Sequence, residues 1–435
     1  MVWLKGNLHT HVGEGMSLTE ALERYAELGY DFLSISDHMK LTLARHRRLL
    51  LIPGIEWNSF AGEHMGVYSF HQAVLRRCLK SGEQLGLLRY LGKQPALVVL
   101  NHPNWQEPEH YSRKQLMART SAIGMEIYNG VIERLEGCAL ATDKWDYLLS
   151  RGRRLFGFAS DDAHSLADIG RGWIVVRAAS RTPAAVYDAI LRGDFYSSTG
   201  VTIRSIRRQK ARFIVDTADA DEIWAIGSKG VCLARVSARR MEFKPAGYGG
   251  SYVRFTVFGR GAAMAWTQPF HLDGSGESGP KSAFITRWWL SRIDMHRLSD
   301  APSVNLRMPM EWTPAEGKDG FVSVHHRYGN KDGVVYLANR FMIHQAGDWT
   351  VFLGHDGGAK VFVDGEQVLY QPLRINPCIA DRSPVTVRLT RGTHEIVIAL
   401  DTDNGMGQGI YFRFMSPREK GKISRAVVFP KRLAR

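Results

Sequence analysis

In the first two hundred residues one form recurs: a short apolar run that ends in an acid, an amide or a histidine. "DFLSISDH" (31–38), "ALVVLNHP" (96–103), "GMEIYNG" (124–130) and "RLFGFASDDAH" (154–164) all follow it. Runs of this length, rich in β-formers, read as buried strands. Stretches with helical spacing lie between them: Leu18–Leu28, which Thr19 is placed to cap, and Thr182–Leu191. Strand, polar tip and helix in repetition predict an α/β fold with parallel strands. In such folds the chemistry gathers at the C-terminal ends of the strands.

Past Ser205 the texture changes to strand-like runs separated by turns. Examples are "YVRFTVFGRGAAMAWTQPFHL" (252–272), "DWTVFLGHDGGAKVFVDGEQVLY" (348–370) and "VTVRLTRGTHEIVIALDTDNG" (385–405). Alternating valines and "DGG" or "VDGE" turns predict antiparallel hairpins in a β-sandwich. The Gly/Ser-rich "LDGSGESGPKSA" (272–283) is the expected linker. The chain therefore divides into an α/β domain over 1–205, a small β domain over 206–272 and a β-sandwich over 283–435.

A hydrophobic fraction of 44% with 23% charged residues is ordinary for a soluble globular chain. No apolar run reaches the length of a membrane span, so no membrane partner is expected. The formal charge of +14, from 57 Lys+Arg against 43 Asp+Glu, admits nucleic acid, an acidic surface or an anionic small substrate. The basic residues are scattered, with denser stretches at Arg45–Arg48 and Arg204–Arg212, and no nucleic-acid-binding signature accompanies them. A solvated basic face is favoured over a nucleic-acid footprint. The N-terminal "MVWLKGNLHTH" has no apolar signal core, as expected of a cytoplasmic chain; a trimmed secreted or periplasmic protein would read the same.

The four cysteines, Cys78, Cys138, Cys232 and Cys378, are far apart and form no CxxC pair. Any metal must therefore be held by imidazole and carboxylate. Suitable groups sit at the expected strand tips: His9 and His11, Asp37–His38, Glu56, His64, His102, and Asp162 with His164, while Glu14 follows the first pair. Residues i and i+2 of a strand face one way, so His9 and His11 can reach one ion, and so can Asp162 and His164. Each pair alone is a common coincidence; together they supply ligands for two or three divalent ions. Imidazole and carboxylate suit manganese, zinc or iron.

Over 1–205, "KGNLHTH", "GYDFLSISDH", "PGIEW", "NHP", "EIYN", "SDDAH" and "FYSSTG" occur in the order of the PHP (polymerase and histidinol phosphatase) superfamily, which this stretch resembles. The resemblance implies a distorted (β/α)7 barrel and a metal-dependent phosphoesterase. It implies that His9, His11, Glu56 and Asp162 hold a first ion, that Glu56 bridges to a second completed by His64 and His102, and that Glu14, His38 and His164 hold a third. The family's "SDG" turn is here shortened to "GEG", with Glu14 in the acid's place. Two or three divalent cations outweigh the carboxylates and favour an anionic substrate, a phosphate ester of a small molecule or carbohydrate, attacked by a metal-bridging hydroxide.

Around these, Asp37 either orients a ligand or caps the next turn, and Arg171 and Lys40 are candidates to hold the substrate's phosphate. His110 is either a general acid or a solvated loop residue, Asn129 a pocket residue, and Glu126 a strand-edge residue. The small β domain resembles an extension found in metallohydrolases that act on carbamate esters, which leaves a carboxyl or carbamate ester open as substrate. The last region resembles jelly rolls found beside glycoside-processing enzymes, with Trp288, Trp289, Trp312 and Trp349 as candidate platforms for a sugar ring. A glycan-binding protein with an inactive barrel is the remaining alternative. His325 and His326 are adjacent on an expected strand and so face opposite ways, which excludes a shared ion.

Overall fold

The computed structural model of the chain describes residues 1–13, 15–105, 110–135, 137–246, 248–272, 284–317, 320–373, 378–415 and 427–428. Two compact units divide it, 1–279 and 280–435. The Gly/Ser-rich stretch expected as a linker falls, from residue 273 on, outside the described residues. No described helix is long and apolar enough to cross a membrane.

The first unit is mixed α/β. Its leading strands are β1 (Val2–Asn7), β2 (Phe32–Leu33), β3 (Leu50–Leu51), β4 (Gly54–Asn58), β5 (His64–Tyr68), β6 (Leu97–Leu100), β7 (Gly124–Asn129), β8 (Phe156–Ser160), β9 (Trp173–Ala178) and β10 (Phe195–Ser198). Parallel pairing joins β1 to β2, β2 to β3, β6 to β7 and β7 to β8. The parallel strands expected from the sequence make up only part of the pairing. The pairs β1–β9, β9–β10, β4–β5 and β5–β6 are antiparallel. Only a tight turn separates Asn58 from His64, too short for a crossover, so β4 and β5 can pair only as a hairpin.

The pairings make one sheet of β4-β5-β6-β7-β8 and a larger one that contains β10-β9-β1-β2-β3. Two isolated parallel bridges stitch them together where β1, β2 and β8 end: Thr10 with Ala163, and His38 with Glu56. The first helix, Leu18–Glu27, is capped by Ser17 and not by Thr19; Ser17 and Glu20 close a reciprocal capping box. Thr182 caps the helix Pro183–Arg192, whose Ala189 and Ile190 pack with Val176 and Phe195 in the core.

Residues 206–272 are not a separate body. Strand Met264–Thr267 pairs with β10, and Tyr252–Gly259 and Ala220–Ile226 extend the same sheet. Buried polar contacts reinforce the continuity. Arg254 on Tyr252–Gly259 donates from Nε and Nη2 to both oxygens of Asp146 on helix Thr142–Ser150, at 2.7 and 2.5 Å, and Tyr252 Oη donates to Asp146 at 2.8 Å. The change of texture at Ser205 marks a change from mixed to all-β pairing inside one compact unit.

The second unit is an antiparallel sandwich. Strands Val334–Ile343, Gly392–Asp401 and Ala359–Val363 lie in one sheet, Gly347–His355 and Gly409–Met415 in the other. Inward residues of both, among them Val351, Leu353, Val361, Ile398 and Phe412, form one core. Trp288 and Trp349 are part of it, with their indole N–H groups on the carbonyls of Ile285 and Gln345, so neither is a sugar platform. Trp289 and Trp312 are half-buried. His325 and His326 lie on a short helix, His325–Tyr328, where a strand was expected.

Buried Asp356 gives this unit a pH dependence. Burial pushes its carboxyl up to about 7, against the Gly409 and Gly357 amides that donate to it. The folded state therefore keeps a proton that the unfolded chain releases near pH 4. This contribution to stability is present at low pH, is lost progressively from about pH 4 to about pH 7, and is constant above. A difference of this size corresponds to a few kcal/mol. Asp356→Asn is expected to remove that slope from urea-unfolding free energies measured between pH 4 and 8; an unchanged slope refutes the assignment.

Candidate metal centre

The tips of β1, β2, β6 and β8 converge with the β4–β5 hairpin. Beyond Asn7 the chain leaves β1, and Thr10 turns its hydroxyl away to Tyr25 Oη at 2.7 Å. His9 and His11 then share the opposite side, with ring centroids 5.1 Å apart. Asp161 braces this tip from beneath, accepting from Asn7 Nδ2 at 2.9 Å, from Tyr25 Oη at 3.0 Å and from the backbone N–H groups of Arg171 and Gly172.

At the centre is Glu56, fully buried on β4. Five imidazole nitrogens approach its carboxylate: His9 Nε2 at 3.3 Å, His11 Nε2 at 3.3 Å, His38 Nδ1 at 2.8 Å, His64 Nδ1 at 3.1 Å and His102 Nε2 at 3.2 Å. Asp162 Oδ1 lies 3.1 Å from His9 Nε2 and 3.0 Å from His11 Nε2. The ligand atoms of His9, His11, Glu56 and Asp162 fall within 4.8 Å of one another; so do those of His38, Glu56 and His64, and those of His11, His38 and His164.

Several of these atoms have no hydrogen-bond partner although they are buried: both ring nitrogens of His11, His102 Nδ1, Glu56 Oε2 and Asp162 Oδ1. His11 Nε2 is at ion-pair distance from both carboxylates, yet neither contact has hydrogen-bond geometry. Buried polar atoms are seldom left unpaired. Among the unpaired atoms, His11 Nε2 faces Glu56 Oε2 at 3.3 Å and Asp162 Oδ1 at 3.0 Å, and a divalent cation would satisfy all three, so the residues fit a metal.

Backbone strain marks the same place. His102 and Asp162 hold φ of 30° and 52°, in the left-handed region that non-glycine residues avoid at a cost of about 1–3 kcal/mol each. At Gly15 an added Cβ would come within 2.3 Å of the His164 carbonyl oxygen, so the approach to His164 requires glycine there.

The electrostatics follow from burial and mutual pairing. Burial alone would raise Glu56, yet the histidines around it, His9 foremost, hold it well below the usual carboxylate range. Burial works against protonating His11 too, but Asp162 and Glu56 outweigh it and raise the imidazole to about 9. Without metal the cluster thus neutralises itself with protons, which an incoming cation would displace.

The sequence-predicted residues divide clearly. His9, His11, His38, Glu56, His64, His102, Asp162 and His164 are brought together, with His38 rather than His102 grouped beside Glu56 and His64. Glu14 lies outside the described residues. Asp37 accepts from Val12 N at 2.8 Å and from the Thr42 hydroxyl; it fastens the loops that carry His11 and His38 and does not face the cluster. Lys40 is exposed, 3.8 Å from Asp37, and Arg171 pairs with Glu133 at 3.2 Å. Neither is directed at the cluster by any described contact.

His110 is not a solvated loop residue. It packs on His64 and His102, with centroids 5.2 and 4.8 Å away, and burial together with those neighbours pushes its pKa far below the ordinary value. Asn129 donates to Asp162 Oδ2 at 3.1 Å and to Glu126 Oε2 at 2.8 Å, and so orients a ligand rather than lining a pocket. Sequence reasoning missed Glu126 and Asn101. Glu126 is buried, not at a strand edge, and accepts from His9 Nδ1 at 2.7 Å; Asn101 donates to Glu56 Oε1 at 2.8 Å. Their places in "EIYN" and "NHP" beside ligands were the available signal.

Residues 149–195 match a family model described as PHP-associated. No curated protein matches the sequence. Among solved structures the chain is similar to a two-domain protein of Bacteroides vulgatus containing a predicted PHP-like metal-dependent phosphoesterase. The identity is 17% and the TM-score 0.37, with 62% of this chain and 95% of that one covered. It is similar to the lesion-specific endonuclease EndoQ of Pyrococcus furiosus at 13% identity and TM-score 0.32, covering 43% of this chain and 56% of that one. A family 35 carbohydrate binding module from an environmental isolate is similar at 14% identity and TM-score 0.19, with 34% and 93% covered. At these scores the likenesses are distant. The motifs from His9 to His164 and the match over 149–195 overlap at "SDDAH", and the family this chain resembles is the PHP superfamily.

Proposed function

We propose that the first unit is a metal-dependent hydrolase that cleaves a phosphate ester of a small molecule, a phosphorylated carbohydrate included. One observation carries the reading: His9, His11, Glu56 and Asp162, from three distant segments, present buried ligand atoms within 4.8 Å. These four would hold one divalent ion, and His38 and His64 would hold a second with Glu56 between them. His102, 3.2 Å from Glu56, and His164, grouped with His11 and His38, complete the set, and manganese, zinc and iron all suit it. When bound, such ions act as Lewis acids and make water nucleophilic near neutral pH.

The chain's own residues do the rest. Glu56 and Asp162 supply negative charge below that of two divalent cations, which leaves the site attractive to an anion such as phosphate. Asn101 and Asn129 fix the carboxylate oxygens, and Asp161 and Asp37 hold the loops beneath. The bridges that stitch β8 to β1 and β2 to β4 support a ring of strands, the distorted barrel implied by the resemblance. In the second unit half-buried Trp289 is the remaining candidate glycan platform, since Trp312 packs against the core with its indole nitrogen buried.

The test is a panel of phosphate mono- and diesters, sugar phosphates and carboxyl esters, assayed with metal-stripped protein before and after addition of Mn, Zn or Fe. Turnover of phosphate esters only after metal addition, and its loss in His9→Ala, is expected. Full activity in metal-stripped protein refutes the metal, and cleavage of carboxyl esters alone refutes the phosphate.

A further inference from the structure

Glu126 touches three of the converging segments at once without belonging to the ligand groups. It sits on β7 with 2% of its surface exposed. Oε1 accepts from His9 Nδ1 at 2.7 Å and from the Ser160 hydroxyl; Oε2 accepts from the His102 backbone N–H at 2.7 Å and from Asn129 Nδ2 at 2.8 Å. Among the described contacts no Lys or Arg pairs with it; its one ionisable partner is His9, itself one of the candidate ligands.

We propose that Glu126 is a positioning residue for the metal centre, an inference that rests on the metal reading above. Its contact with Nδ1 places the His9 proton there and leaves the Nε2 lone pair free, on the side where Asp162 Oδ1 and Glu56 Oε1 lie 3.1 and 3.3 Å away. A neutral imidazole has one donor and one acceptor nitrogen, and the partner of the first decides which nitrogen can bind a cation. Its other oxygen holds the backbone of His102, the residue at φ 30°, and through Asn129 it reaches Asp162. One carboxylate thus aligns His9, His102 and Asp162, which come from the tips of β1, β6 and β8. Both of its oxygens are engaged as acceptors of these donors, which is why it does not itself face the cation.

The experiment measures Mn and Zn affinity of the full chain by competition with a chromogenic chelator, for wild type, Glu126→Gln and Ser160→Ala. Loss of such a partner typically weakens metal binding 10–100-fold. A drop of that size is expected for Glu126→Gln, and about threefold or less for Ser160→Ala, which removes a neighbour of the same carboxylate but leaves His9 held. Thermal unfolding of the metal-free proteins separates positioning from stability: the affinity loss is expected without a matching fall in the metal-free midpoint. If Glu126→Gln fails to fold, ¹⁵N-histidine spectra of Zn-loaded wild type decide instead, with the His9 signal assigned by its absence in His9→Ala. A proton on Nδ1 of His9 supports the assignment, and one on Nε2 overturns it. Wild-type affinity in Glu126→Gln, or a loss that merely follows instability, also overturns it. A wild-type protein that takes up no metal refutes the metal reading itself, which is a different result.

Discussion

Replacing Glu56 by alanine is expected to abolish metal uptake at the strand-end cluster and to lower ester hydrolysis about 10³-fold or more. Two of the three ligand groups include this residue, and five imidazoles approach it within 3.3 Å. Without it Asp162 is the one carboxylate left in the described ligand groups, and Asn101 Nδ2 would lose its 2.8 Å acceptor. The metals' contribution to an ester hydrolysis is several kcal/mol, and at about 1.4 kcal/mol per tenfold that is roughly three decades in rate. His164→Ala is the informative comparison: its ring is 42% exposed and belongs to one group only, so a smaller loss is expected. Equilibrium dialysis with metal analysis, beside turnover, reads both effects. Wild-type metal content in Glu56→Ala protein would refute the arrangement.

The second large effect concerns stability. Asp146→Ala is expected to destabilise the first unit by about 3–5 kcal/mol, because it strands the Arg254 guanidinium in the interior. Arg254 has no solvent to turn to: it is buried, lies over the Trp145 ring with its centre 5.1 Å from the centroid, and among the described polar contacts keeps Thr256 Oγ1 at 2.7 Å. Tyr252 loses an acceptor as well, though Gly227 O remains for it at 2.7 Å. Since domains are stable by about 5–15 kcal/mol, the loss is a large share. The double change Asp146→Leu with Arg254→Met is expected to recover most of it, since buried pairs replaced by apolar groups are often neutral. Urea unfolding of the three proteins measures this; an Asp146→Ala protein within about 1 kcal/mol of wild type would show that the pair does not hold the unit together.

Much of this was legible in the sequence where one residue type had one use. The histidines and acids at strand tips could be gathered because no cysteine competed for a metal, and the order of the motifs pointed to one site. What was hidden was direction. Nothing in "EIYN" says that Glu126 turns inward beneath His9, since a strand's two faces are told apart only by what packs on each. His110 looked solvated because its neighbours in sequence are polar, whereas its neighbours in space are imidazole rings. Trp288 and Trp349 looked like platforms because sequence does not separate the core face of a sandwich from its outer face. The boundary at Ser205 misled for a related reason: composition changes there, but hydrogen bonding between β10 and Met264–Thr267 does not stop.

The two bridges at the strand tips have a mechanical consequence. Away from that end the two sheets are separate ladders, and each bridge is a single residue pair, Thr10 with Ala163 and His38 with Glu56. A cation gripped by His9, His11, Glu56 and Asp162 would therefore act as a rivet across the seam, fastening segments from both ends of the first unit's ligand span. It would do for this chain what a disulfide does for many others, and the four cysteines, none of them in a disulfide, do not. Loss of the ion would then be felt first as a loosening of that seam, with the ladders on either side still intact.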